Sequence, residues 1–157
     1  MEKICSVLEI WDTGATSSKE EREAASDRMQ WWDDFYARTG ARKIVGTRWT
    51  YKGITYEDKN RPVPVPDMSG LVYAAPDLKS WTVLNPDGTR RFCIAVPKLS
   101  ENSVPQNGEL GIPKHMKGDP TNVMYGEGSD GDRCDCRFIF DMNNGELVKV
   151  EFLGKHW

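Results

Sequence analysis

The sequence predicts an α+β fold: one long amphipathic N-terminal helix packed on a mainly antiparallel, curved β-sheet. Three observations predict it. Residues 17–39 carry a helix-capping pattern and an apolar stripe. Most of the remaining chain is made of short β-branched and aromatic runs. Two pairs of these runs flank Asn85-Pro86-Asp87-Gly88 and Asn143-Asn144-Gly145, turn sequences that fold neighbouring strands antiparallel.

Taken in order, residues 3–11 read as a central strand. Ile4, Leu8 and Ile10 lie on one face and Cys5, Val7 and Trp11 on the other, so both faces are apolar enough to be covered. A turn at 12–16 around Gly14 leads to the helix. Ser18 followed by Glu21 forms a capping box, each side chain satisfying an otherwise unpaired backbone N–H. Ala25, Met29, Trp32 and Tyr36 recur at spacings of four, three and four as the core-facing stripe, and Glu20, Glu23, Asp27, Gln30 and Asp34 follow the same rhythm on an acidic face. Gly40 ends the helix.

Residues 42–56 read as two strands bent at Gly53, and 61–66 (RPVPVP) as an extended connector. A short strand at 71–75 follows, then the hairpins 81–84 with 90–96 and 134–140 with 146–153. Between these hairpins lies a long irregular loop, about residues 99–133, with three prolines and six glycines. The whole, residues 1–157, is read as a single domain, a usual size for one.

Composition narrows the function classes. No apolar stretch approaches the roughly 20 residues of a membrane span, and no secretory signal is seen, so the expected setting is cytoplasmic with reduced thiols. A net charge of −3 argues against a generally basic nucleic-acid binder. The average conceals a segregation: residues 38–61 hold seven Lys/Arg against two acids, and residues 101–135 hold seven acids against three Lys/Arg.

Four constellations carry chemistry. In the long loop, His115 near Asp119 and Glu127 offers a general base with carboxylate partners, and the loop glycines, Gly126 and Gly128 among them, supply hinges for closure. Cys134 and Cys136 share one strand face and with His115 or His156 contain the elements of a zinc site. Phe138 and Phe140 continue that face, which favours core thiols and no metal. On a strand at 42–52, Arg42, Arg48 and Lys52 form a basic face opposite Val45, Trp49 and Tyr51, a pattern shared by nucleic-acid binding and by a half-buried strand. Lastly, LEIWDTGAT at 8–16 resembles the active-site motif of retroviral-type aspartic proteases. The resemblance implies a catalytic Asp12 with Thr13 and Gly14 shaping its loop, but a charged helix follows almost at once, and a strand-to-helix turn accounts for the same residues.

The reading these features favour is a small binding protein without a cofactor. It engages a protein partner with a basic surface through Glu23, Asp27 and Asp34 and through the acidic loop, in the manner of a phage-type regulator or immunity-like inhibitor. Trp31, beside Trp32 but off the stripe, is either an exposed anchor or part of a wide apolar face. The alternatives are a small hydrolase-type enzyme built on His115, Asp119 and Glu127, and nucleic-acid binding through Arg48, Trp49 and Lys52.

Overall fold

The computed structural model describes residues 3–77, 79–97, 104–105, 110, 122–129 and 134–155. The chain opens with strand β1 (Cys5–Trp11), a two-residue strand β2 (Thr16–Ser17), helices α1 (Lys19–Ala24) and α2 (Arg28–Thr39), and strands β3 (Ile44–Tyr51) and β4 (Ile54–Asp58). The four strands form one antiparallel sheet in the order β2-β1-β3-β4. Lys52 and Gly53 close the β3–β4 hairpin, both with positive φ (51° and 75°). A two-residue hairpin loop demands this, because only that turn hand matches the twist of the strands.

Strands β5 (Val63–Pro64), β6 (Leu71–Ala74), β7 (Ser80–Leu84) and β8 (Arg90–Ala95) form a second antiparallel sheet in sequence order. The β7–β8 turn is the Asn-Pro-Asp-Gly segment, closed by a bond from the Asn85 N–H to the Thr89 carbonyl at 2.7 Å. Strands β9 (Val104–Pro105), β10 (Val123–Ser129), β11 (Cys134–Asp141) and β12 (Leu147–Lys155) form the third, ordered β12-β11-β10-β9. No helix among the described residues is long and apolar enough to cross a membrane.

The expected α+β arrangement is therefore corrected. The described chain is three antiparallel sheets with two short helices, and no long helix lies across a single sheet. The helix breaks because it has two starts. Ser18 accepts a bond from the Glu21 N–H, and Asp27 accepts one from the Gln30 N–H, so each caps its own helix. Between them Ala25 is extended (φ −64°, ψ 132°). Restarting at Asp27 brings Phe35 inward as the one buried residue of α2, while Met29 of the expected core stripe is 72% exposed.

The irregular segment at 99–133 is corrected as well. Val123–Ser129 is a seven-residue strand paired along its whole length with β11. Its glycines hid it. A Cβ on Gly126 would lie 2.8 Å from the Trp81 ring, so this glycine is a point of close packing in a strand and not a hinge.

The second sheet is the middle layer. On one face Val72, Val83, Trp81 and Ile94 pack against Met124, Cys136, Phe138, Phe140 and Met142, joining it to the third sheet. On the other, Leu71 and Leu84 pack against Ile4 and Trp49, joining it to the first. Neighbouring residues such as Leu71 and Val72 thus serve different cores, as strand alternation requires. A third, smaller cluster of Trp11, Phe35 and Ala41 fixes α2 to the first sheet.

Candidate functional site

The α2 surface offers the best-built site among the described residues. Trp11, at the end of β1, is buried and donates its indole N–H to the Ser17 hydroxyl at 2.9 Å. Trp32 meets it edge-on with ring centroids 5.2 Å apart, and Phe35 packs on it at 5.0 Å. Trp31 stacks on Phe35 at 5.0 Å with planes 9° apart, and Tyr36 stacks on Trp32 at 5.4 Å. Such contacts add about 0.5–1.5 kcal/mol each beyond burial. The result is a rigid aromatic platform that runs from the buried Trp11 out to Tyr36, which is 41% exposed.

Cations brace the platform. Arg22 of α1 lies over the Trp32 ring at 5.6 Å and is ion-paired with Glu9 of β1, so it ties both helices to the sheet. Arg38 lies over Phe35 at 5.7 Å. Residues 19–39 hold six acids against four cations, and Glu20, Glu21, Glu23, Asp27, Asp33 and Asp34 are all exposed, so the outward surface is net negative. At the C-terminal end of α2, Tyr36, Gly40, Ala41 and Arg42 line an open groove of about 480 Å³. The Arg42 N–H donates to Asp12 at 2.9 Å, so Asp12 and Gly14 (φ 85°) build the turn that carries the chain into the helices.

The residues singled out in the sequence are distributed unevenly. Glu23 is exposed on α1 and pairs with Lys19 at 3.8 Å. Asp34 is exposed on α2 and accepts from the Gln30 amide at 2.8 Å. Asp27 is the N-cap of α2, and the break at Ala25 takes Glu23 out of helical phase with Asp34, so the three acids do not form one stripe. Trp31 is half-buried within the platform.

Arg48 is partly buried and pairs with Glu57 at 2.7 Å. Trp49 is 1% exposed and donates to the Pro86 carbonyl at 2.7 Å, so its ring faces the core and offers no stacking surface. Lys52 sits in the β3–β4 turn over the Tyr51 ring at 5.3 Å. Glu127 is exposed on β10, across from Arg137 of β11. His115 and Asp119 lie outside the described residues, as does His156. Cys136 is fully buried in the core between the second and third sheets. Among the described residues no three His, Cys, Asp or Glu side chains are grouped as metal ligands.

Sequence reasoning missed Met29 and Tyr36 as surface residues. The signal was present in Asp27-x-x-Gln30, a second capping pattern that resets the helical phase.

No family model and no curated protein matches the chain. Among solved structures it is similar to a chain in the structure of Tne2 in complex with Tni2. The TM-score is 0.65 at 17% identity, covering 96% of this chain and 99% of that one. The likeness shows a shared fold over nearly the full length of both chains.

Proposed function

We propose that this chain is a protein-binding module, and that α2 presents its docking surface to a partner with a basic face. One observation carries the reading. A helix whose inward side is locked by Phe35 and Trp11 holds Met29 and Tyr36 out to solvent between exposed acids. A pre-ordered aromatic and methionine surface loses little entropy on docking, and acidic neighbours accelerate encounter with a cationic partner. The reading is supported by the fold likeness to a chain solved within a complex of two differently named proteins. An inhibitor of the immunity type is the specific role in view, with Glu23, Asp33 and Asp34 steering and with Tyr36 and Met29 as contact residues.

The test is recovery of partners on the immobilised full chain at moderate salt, with captured protein and nucleic acid both measured. A stoichiometric protein partner is expected. Its retention should fall about tenfold or more when Glu23, Asp33 and Asp34 are reversed to Lys together, and again in Met29→Ala. Asp27 is left intact because its reversal would unseat the helix. A partner that binds the triple variant unchanged, or capture of nucleic acid alone, rejects the reading.

A further inference from the structure

The negative surface of the helices stops short of the end of α2. From Phe35 to Tyr56 the chain has no Asp or Glu, and Arg38, Arg42 and Lys43 gather where the helix ends. All three are exposed. Cations at a helix C-terminus commonly serve its unpaired carbonyls. Two of those carbonyls have other partners here. The Phe35 carbonyl accepts from the Thr39 hydroxyl at 2.7 Å, and the Tyr36 carbonyl from the Gly40 N–H at 2.9 Å. Neither Arg42 nor Lys43 has an ion-pair partner among the described residues.

Arg42 lines the open groove together with Tyr36, Gly40 and Ala41. The Tyr36 ring is backed by Trp32 at 5.4 Å, so it stands as a fixed wall. No atom lies within 4 Å of the place a Gly40 Cβ would take, so the groove is open on that side. Asp12 accepts from the Arg42 backbone N–H, and no ion pair joins the two side chains. An aromatic wall beside a guanidinium without a carboxylate suits one kind of group. It is an apolar body packed on the ring, with a carboxylate taken by the fork of N–H donors.

We infer that this groove is an anchoring subsite for an apolar residue of the partner protein that lies next to an acidic one. The inference rests on the docking reading and gives it a direction. Acids around Met29 meet the partner's cations, whereas Tyr36 and Arg42 hold a carboxylate further along α2. Seven residues separate Met29 from Tyr36, about 10 Å of helix. The docking surface is thus opposite in sign at its two ends. A partner laid on it in reverse would set like charges together at both, so the charge order selects one orientation.

The experiment is an amide NMR titration of the full chain with phenylacetate, and with benzylamine as its cationic counterpart. Concentrations reach about 30 mM, since ligands of so few atoms bind at the millimolar level. Phenylacetate should give saturable shifts at the Tyr36, Gly40, Ala41 and Arg42 amides. Benzylamine should bind there about threefold more weakly or worse. Arg42→Gln should abolish that preference without lowering the melting temperature, because the side chain it alters is exposed and makes no ion pair. Tyr36→Ala should weaken both probes alike, and the Arg42 variant carries the test if loss of the Trp32 contact disturbs the helix. An absence of localised shifts, equal binding of the two probes, or a preference that survives Arg42→Gln overturns the proposal. A captured protein partner with a silent groove overturns this inference alone. A groove that binds phenylacetate in a chain that captures no protein rejects the docking reading and, with it, the partner as occupant.

Discussion

Asp87 shows how a single turn residue shapes a titration. It sits in the hairpin turn between β7 and β8, accepts from both the backbone N–H and the hydroxyl of Thr89, and is held below the usual carboxylate range, chiefly by the Thr89 hydroxyl. A carboxylate stabilised in the folded state favours folding above its unfolded pKa, and that contribution is lost as pH falls through the folded value. Carbon-detected NMR titration should therefore find Asp87 ionising below the ordinary value of an aspartate side chain. Thr89→Val, which removes the hydroxyl donor, should raise it towards that ordinary value. An unchanged midpoint in that variant would assign the shift elsewhere. The signal was legible in advance, because Asn-Pro-Asp-Gly-Thr names both the turn and the residue that closes it. The burial of Trp49 was not legible to the same degree. Alternation placed it on one face of β3, but whether that face met water or another sheet depended on Leu71 and Leu84, more than twenty positions away.

At the scale of elements, the two errors have different origins, one a second local signal and the other a long-range contact. The helix was read through Asp27 because acids at i, i+3 and i+4 continue a polar face. As the cap of α2, Asp27 instead ends one helix and begins the next. Asp27→Ala should cost roughly 1 kcal/mol and lower Tm by about 2–4 °C, with Asp27→Asn close to wild type. Calorimetry of the two variants checks this, and equal losses in both would point to charge and not capping. β10 was lost inside a loop because two of its seven residues are glycine, a residue that strands disfavour. Its necessity comes from Trp81 pressing on Gly126, a long-range contact without a local trace. The hairpins, by contrast, were placed within a residue or two, since turn chemistry and strand alternation agree there.

For the whole molecule, the sequence supported antiparallel pairing throughout but not the layering. Three sheets stacked through a shared middle layer require that β6 and β7 be apolar on both faces, which their runs Leu-Val and Val-Leu satisfy without saying which sheet lies on which side. Such a middle layer couples the outer ones. Leu84→Ala, in the core between the first and second sheets, should cost about 2–5 kcal/mol. It should also shift far-ultraviolet circular dichroism and tryptophan fluorescence together, because losing one core leaves the middle sheet half-covered. Two separate melting steps would show that the sheets unfold independently.

The division of α2 into two sides also bears on how such a chain diversifies over generations. Phe35 and Trp31 answer to the sheet beneath them, whereas Met29, Asp33 and Tyr36 answer to whatever meets the surface. Descendants facing altered partners can therefore exchange the outward set freely while the inward set stays fixed. Within one lineage, that helix should change fastest along a line only a few ångströms from residues that hardly change at all.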